Sequence, residues 1–154
     1  MPTIALPKSS HQSGLHYFNR NPHPKKENHG DCGVRSICLA FGLPYKKVWT
    51  AATKVKRQLA GSYYDQWGQK KKSQVTATWS LTKGELIRTL WELDIHDWEW
   101  TPYHSEFKAK NLPAHCIAAQ AEHWVCVKDG AIWDTWDSRG KRAKRLEGYF
   151  SLCA

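Results

Sequence analysis

The sequence lacks any long apolar run. Its uninterrupted apolar stretches are far shorter than the roughly 20 residues that a helix needs to cross a bilayer. The first ten residues, MPTIALPKSS, contain no continuous apolar block of the kind found in secretory signals. We therefore expect a soluble protein of the cytoplasm that is not secreted and has no membrane partner.

Closely paired cysteines are also absent, since no C-x-x-C pair occurs. An odd number of cysteines without an export signal argues against a disulfide framework. The densest group of potential ligands, at 115, 116, 123 and 126, lacks the paired spacing of structural zinc sites. We expect reduced thiols, no metal and no cofactor. The five cysteines are Cys32, Cys38, Cys116, Cys126 and Cys153.

Acidic residues are scarce, with 14 Asp and Glu against 23 Lys and Arg and a formal net charge of +9. Such a balance favours contact with an acidic partner, such as nucleic acid or an acidic protein surface. The basic runs are scattered along the chain, however, and most tryptophans recur with spacings typical of a core. Nucleic acid is therefore a secondary candidate partner.

The length of 154 residues fits one compact domain. Residues 1–30 are rich in Pro, His, Asn and Lys and predict an extended lead-in over the surface. Residues 31–94 predict a mainly helical half, and residues 95–154 a mainly β half. Helices followed by strands indicate an α+β fold.

The first helix is predicted to run for about ten residues from Asp31, with Cys32 in its first turn, and to stop at Gly42. Its apolar residues recur at i, i+3, i+4 and i+7. The residues that form this stripe are Val34, Ile37, Cys38 and Phe41.

Two more helices follow in the sequence. The second is predicted from Pro44 to Gly61, and the third after a capping box made by Thr82 and Glu85. Between them, residues 62–80 show no helical period and predict a loop with a short strand.

The late segment EHWVCVKDGAIWDTW predicts two antiparallel strands joined at Asp129 and Gly130. A two-residue type I′ turn there fixes the register of the hairpin. In that register His123 and Asp134 share one face and lie diagonally across from each other, whereas Asp137 falls on the opposite face. A carboxylate in this position can orient an imidazole.

These residues predict a thiol-based site. A helix N-terminus and a nearby imidazolium both favour the thiolate form of a cysteine, which is the nucleophile. Cys32 has the first by position and would gain the second from His123, with Asp134 holding the ring. Asp31 is assigned to helix capping or to an interaction with the dipole at the N-terminus of the helix. Arg35, one helical turn from Cys32, is expected either to pair with Asp31 or to bind a substrate carboxylate.

Simpler interpretations exist for each of these residues. A lone histidine on a strand is more often structural than catalytic, and a buried cysteine usually behaves as a small apolar residue. The four cysteines other than Cys32 are interpreted in this way, as small apolar residues of the core. Cys32 itself lies at the mouth of the helix, off the apolar stripe.

The order Cys, His, Asp, with Cys opening a helix and His on a sheet, resembles the papain-like cysteine peptidases. "DTW", Asp134 to Trp136, is similar to the Asn-Ser-Trp that ends their triad. "DCG" before an apolar helix resembles the bacteriocin-processing peptidases, and "GDCGVRSI" resembles OTU-type deubiquitinases. Together, "GDCGVRSI" and "HWVCVKDGAIWDTWDS" are most similar to small uncharacterised phage and prophage proteins, over residues 18–150.

The resemblance implies a papain-like fold in which N-terminal helices, including the one that carries Cys32, pack on a C-terminal antiparallel sheet. It implies a Cys32, His123, Asp134 triad, with Trp136 as a lid over the His-Asp contact. The implied substrate is a protein or peptide, and for a phage-encoded protein in the host cytoplasm it would be a host or virion protein.

The oxyanion site departs from the papain pattern. The family usually supplies a Gln six residues before the cysteine, and Lys26 stands there in this chain. Asn28 is the nearest amide, and His29 occupies the place where OTU enzymes carry an aspartate. These two side chains are candidates for the oxyanion site, beside the backbone N–H of Cys32.

Three functions are compatible with these residues. The first is a cysteine hydrolase that cleaves an amide or isopeptide bond through an acyl-enzyme. The second is a catalytically silent module whose basic, Trp-rich surface binds a host protein or nucleic acid. The third is acyl transfer at the same site, as in transglutaminase-like chemistry, with an amine in place of water.

Overall fold

A computed structural model of the chain describes residues 14–26, 30–72, 75–76, 80–121, 123–139 and 145–152. Within these ranges, no helix combines the length and the apolar character needed to cross a membrane. The elements are, in chain order, β1 His16–Asn19, α1 Cys32–Phe41, α2 Tyr45–Ala60, β2 Ser62–Tyr64, β3 Lys70–Lys72, α3 Lys83–Glu92, β4 Trp98–Pro102, a 3-10 turn Ala109–Asn111, β5 His115–Gln120, β6 His123–Lys128, β7 Ala131–Asp134 and β8 Gly148–Leu152.

The three helices confirm the bounds predicted from the sequence. α1 begins at Cys32 and ends before Gly42, which has a left-handed φ of 64° and donates its N–H to the Cys38 carbonyl. α2 lies between Pro44 and Gly61. The capping box at the start of α3 forms both of its hydrogen bonds.

The main sheet has six strands in the order β1-β7-β6-β5-β8-β4. The neighbouring pairs from β7 to β4 are antiparallel, whereas β1 pairs with β7 in parallel. With the helices before most of the strands, the fold is α+β, as predicted. The separate β2–β3 hairpin is the short strand structure expected between α2 and α3.

One part of the predicted surface lead-in belongs to the sheet, whereas its residues 1–13 and 27–29 lie outside the described residues. Leu15 is buried, and β1 completes one edge of the sheet beside β7. No periodic apolar face in the sequence predicts this strand. It forms by pairing with residues more than 100 positions away in the sequence, which a local pattern does not reveal.

The β6–β7 hairpin has the predicted register. Asp129 and Gly130 have φ values of 54° and 72°, the left-handed conformation that a type I′ turn requires at both central residues. Lys128 faces Ala131. The register therefore places His123 and Asp134 where the sequence predicted them.

The sheet separates two apolar clusters, and α1 packs on β6 from one side. Alternate residues of β6 enter different clusters: Trp124 and Cys126 join the cluster under the helices, whereas Val125 and Val127 join the other. This packing brings the N-terminal end of α1 to the N-terminal end of β6, where Cys32 and His123 stand.

Candidate active site

Cys32, His123 and Asp134 lie together, each at an end of its own element. His123 Nε2 is 2.7 Å from Asp134 Oδ2. The Cys32 side chain lies beside this ring and contributes to the rise in its pKa. Because Nε2 is engaged by the carboxylate, Nδ1 is the ring nitrogen left for the thiol. We call the group of these three side chains the relay.

The Asp134 carboxylate is buried and held from several directions. Its Oδ1 accepts the Thr135 N–H at 2.7 Å, while its Oδ2 faces His123. The backbone is held as well, since the Asp134 carbonyl accepts the Arg20 N–H at 2.9 Å. The position of β1 beside β7 therefore helps to fix the acid of the relay.

Arg35 links this acid to the start of the cysteine helix. Its guanidinium pairs with Asp31 Oδ1 and lies 3.6 Å from Asp134 Oδ1. All three side chains are almost completely buried. The structure confirms the ion pair with Asp31, and it adds a second carboxylate that the sequence did not predict as a partner of Arg35.

Of the two roles expected for Asp31, the structure contradicts helix capping, and the interaction with the helix dipole stays a prediction. Asp31 occupies the N-cap position of α1, but its side chain forms no capping hydrogen bond. Oδ2 instead accepts the Tyr45 hydroxyl at 2.6 Å, and Oδ1 is used by Arg35. Burial of Tyr45 and its hydrogen bond to Asp31 raise the pKa of the phenol. The carboxylate thus connects α1 to α2 rather than to the first turn of its own helix.

The environment of His123 favours the imidazolium. Burial lowers the pKa of the ring, but the hydrogen bonds to Asp134 and Cys32, with the negative charge of the carboxylate, outweigh burial and raise it from 6.5 to about 9. An imidazolium beside a cysteine favours the nucleophilic thiolate. The electrostatics of the site therefore suit thiol chemistry near neutral pH.

Trp136 covers one side of the ring. Its centroid is 5.0 Å from that of His123, with 38° between the ring planes. The indole remains 45% exposed, so it forms part of the outer surface of the site. This position agrees with the lid predicted for Trp136. Asp137 forms an ion pair of 2.7 Å with Arg139 instead of reaching His123.

The predicted oxyanion side chains, Asn28 and His29, lie outside the described residues. Lys26, at the position of the papain glutamine, extends its ammonium to the Asn21 carbonyl at 2.8 Å. The backbone N–H of Cys32 remains as a candidate donor, because the first N–H groups of a helix have no acceptor within it.

A cleft of about 740 Å³ lies beside His123. Trp100 and Trp124 line it, and so does Gln120, whose side-chain amide donates to the Ser138 carbonyl at 3.1 Å. The sequence did not predict Gln120 or Trp100 as part of the site. Gln120 is the cross-strand partner of His123 in the β5–β6 hairpin, so a register predicted for that hairpin would have placed Gln120 at the site.

The other described cysteines have apolar surroundings. Burial raises the pKa of Cys38, Cys116 and Cys126 to about 12. Cys153 lies outside the described residues. His115 contacts the Ala40 carbonyl at 2.7 Å through Nε2, and among described residues no group of three or more His, Cys, Asp or Glu side chains is arranged to hold a metal.

The chain was compared with known proteins at three levels. No family model, no curated protein and no solved structure matches it. The resemblance to papain-like peptidases therefore stays an expectation from the motifs of the sequence.

Proposed function

We propose that the protein is a papain-like cysteine hydrolase that cleaves an amide bond. The observation that carries the proposal is the 2.7 Å hydrogen bond between His123 and Asp134, together with the Cys32 side chain beside the same ring. Each member has the chemistry that its role requires: a thiol at a helix N-terminus, an imidazole with a raised pKa, and a buried carboxylate that orients the ring.

The reaction would proceed through an acyl-enzyme. The Cys32 sulfur attacks the carbonyl carbon, and His123 gives its proton to the departing amine as the C–N bond breaks. Water then attacks the thioester while His123 accepts a proton from it, which releases the carboxylic acid and restores the Cys32 thiolate beside the His123 imidazolium. The Cys32 backbone N–H would stabilise the oxyanion in both steps.

The surroundings of the relay suggest a protein or peptide substrate. The cleft beside His123 is bordered by two indole rings, Trp100 and Trp124, and carries a cation and an anion, Lys83 and Glu147. Apolar walls with a few polar groups are typical of sites that bind organic substrates. For a phage-encoded enzyme, a host or virion protein would be the target.

Alkylation tests the proposal without knowledge of the substrate. The folded protein is treated with iodoacetamide between pH 5 and 9, and the modified cysteines are identified by mass spectrometry. We expect Cys32 to react at pH 6, where Cys38, Cys116 and Cys126 do not, since burial holds those thiols protonated. The test also shows whether a small reagent can reach the Cys32 sulfur in the folded protein, because Cys32 is only 5% exposed.

The matched variants are His123→Ala and His115→Ala. Removal of His123 should slow the alkylation of Cys32 at pH 6 by at least tenfold, because the imidazolium that favours thiolate is lost. Removal of His115, a residue of β5 whose ring contacts the Ala40 carbonyl of α1, should leave the alkylation rate of Cys32 unchanged. A Cys32 that does not react when folded, or that reacts independently of His123, contradicts the proposal.

A further inference from the structure

The surface formed by α2 and the β2–β3 hairpin concentrates the positive charge of the chain. Residues 45–72 contain eight Lys and Arg and a single acidic residue, and thus carry a net +7 of the total of +9. One of the eight, Lys56, is buried in an ion pair with Glu85 at 3.2 Å. The other cations face the outside or the groove described next.

A groove of about 860 Å³ runs between α2 and the hairpin. Five cations line it, together with the indole of Trp49, and none of the lining residues in the described part of the chain is acidic. The cations are Lys54, Arg57, Lys70, Lys71 and Lys72.

Two of these cations have partners. Lys54 pairs with Glu92 at 3.0 Å, and the Arg57 Nε donates to the Val75 carbonyl at 3.2 Å. The three lysines of β3 are exposed, and none of them forms an ion pair with a described residue. Like charges on adjacent residues repel one another, so this edge of the groove favours a ligand with several negative charges.

The same hairpin presents two aromatic side chains to solvent. Tyr64, which faces Lys70 across the hairpin, is 72% exposed, and Trp67 in the turn is 77% exposed. The turn is ordered, since Asp65 Oδ1 accepts the N–H groups of Trp67 and Gln69, each at 2.9 Å. Exposed large aromatics held by a structured turn are typical of a binding surface rather than of a core.

We propose that this groove binds single-stranded nucleic acid. A strand offers a regular row of phosphates for Lys70–Lys72 and unstacked bases for Tyr64 and Trp67, which is the combination that single-strand-binding surfaces use. An acidic peptide would satisfy the lysines but would leave the exposed rings without planar partners. A duplex would satisfy the lysines while its bases remained stacked on one another.

The binding is independent of the proposed catalysis. None of the groove residues belongs to the Cys32, His123, Asp134 relay or lines the cleft beside it. We therefore expect Cys32→Ala to bind an oligonucleotide as tightly as the native protein does. The two proposals can then fail separately.

Fluorescence anisotropy with a fluorescein-labelled 20-nucleotide oligothymidylate tests the proposal at several salt concentrations. The triple variant Lys70→Ala, Lys71→Ala, Lys72→Ala should bind at least tenfold more weakly in 50 mM salt. Its plot of log affinity against log salt should be shallower by about 2, since each lost phosphate contact removes about 0.7 from the slope for a single strand. The triple Lys→Arg variant keeps the charges and should retain the affinity.

The charge control replaces three lysines elsewhere, Lys25, Lys108 and Lys110, by alanine. It lowers the net charge by the same amount, and we expect less than a threefold loss because these residues do not line the groove. Trp67→Ala should weaken binding about tenfold through lost base stacking. An unlabelled duplex and a 20-residue polyglutamate serve as competitors.

Four results would overturn the proposal. The first is an equal loss in the two triple alanine variants, which would mean that net charge alone drives binding. The second is unchanged affinity in both Trp67→Ala and Tyr64→Ala. The third is stronger competition by the duplex than by the unlabelled single strand, and the fourth is competition by polyglutamate at least as strong as that of the single strand.

Discussion

Cys32 and Cys116 are both almost completely buried, but they lie in different kinds of interior. Cys32 belongs to the apolar cluster under the helices, but it lies where that cluster meets a polar junction, by which we mean the group of Asp31, Cys32, Arg35, His123 and Asp134. His123 is partly buried, and the other four members are buried. Cys116 lies on β5 in an apolar cluster with neighbours such as Phe107 and Val125. The junction holds charges that stabilise one another, whereas the apolar cluster excludes water and charge.

The comparison shows what each region requires of its members. In an apolar cluster, a side chain contributes to stability through its volume, and another apolar side chain of similar size can replace it with a small loss of stability. In the junction, each charge is tolerable only because another charge or a hydrogen bond lies beside it. Substitutions that remove a partner should therefore be far more damaging in the junction than their change in volume suggests.

The largest effect is expected for Arg35→Met. Methionine keeps most of the length of the side chain, but it leaves Asp31 and Asp134 buried without their shared cation. Removal of one partner from a buried ion pair typically costs 3–5 kcal/mol. We expect a loss of about 4 kcal/mol in the free energy of unfolding, measured by urea denaturation at pH 7.

Arg35→Lys is the control for charge. Lysine restores the cation but cannot contact two carboxylates with a planar fork, so an intermediate stability is expected. If Arg35→Met cost less than about 1 kcal/mol, or if the lysine variant were no better than methionine, the charges of the junction would not depend on Arg35.

A substitution in the β4–β8 pair measures the effect of packing alone, for comparison with the effect of charge in the junction. A Cβ added at Gly148 would lie 2.3 Å from the Trp100 ring and 2.7 Å from the Thr101 carbonyl oxygen. Gly148→Ala should therefore destabilise the protein by about 3 kcal/mol through steric overlap alone. Urea denaturation measures the loss, and near-UV circular dichroism reports the displacement of the indole.

Gly84→Ala is the matched control. Gly84 lies in α3, and a Cβ there would meet no heavy atom within 4 Å. Alanine is the better helix former, so this variant should be more stable by about 0.5–1 kcal/mol. A destabilised Gly84→Ala, or a neutral Gly148→Ala, would contradict the packing described for these two positions.

Local signals predicted most of the scaffold. The apolar period and Gly42 set the bounds of α1, the pair Thr82 and Glu85 set the start of α3, and Asp129-Gly130 set the register that places His123 beside Asp134. Each of these signals acts within a few residues of the element that it defines, which is why sequence alone reveals it.

The features that the sequence did not predict depend mostly on contacts between residues distant in the chain. β1 forms by pairing with β7 from the other end of the chain, and β8 enters the sheet between β5 and β4. Asp31 looked like a cap because N-cap preference is local, but Arg35 on the same helix and the Tyr45 hydroxyl, which becomes available only when α1 meets α2, occupy its carboxylate oxygens. One local and one tertiary partner therefore decided the role of this residue.

The pH dependence of stability tests the charge of His123. The pKa of the ring rises from 6.5 to about 9 on folding, so the folded state binds the proton more tightly than the unfolded state. The resulting stabilisation is fully present below pH 6.5 and is lost as the pH rises through about 9. We expect the free energy of unfolding to fall by about 2 kcal/mol over this window.

His123→Gln is the control for this window. Glutamine does not titrate, so the variant should lose less stability than the native protein between pH 6.5 and 9. Equal pH dependence in the two proteins would show that the titrating group lies elsewhere. Near pH 9 the buried thiols Cys116 and Cys126 begin to add a fall of the same sign, because they stay protonated in the folded state while unfolded thiols ionise. Both proteins share this fall, so the difference between them isolates His123.

The smallest effect, and the most direct comparison of the two regions, comes from the cysteines themselves. In the apolar cluster, serine at position 116 places a hydroxyl among apolar side chains, so Cys116→Ser should be less stable than Cys116→Ala by about 1 kcal/mol. In the junction, the hydroxyl of Cys32→Ser has the His123 ring beside it as a hydrogen-bond partner, so there serine should be at least as stable as alanine. Alanine removes the same sulfur at both positions, and the difference between serine and alanine therefore isolates the polar group. Urea denaturation of the four variants at pH 7 measures both differences, and the same sign at the two positions would mean that Cys32 has the surroundings of an ordinary core cysteine.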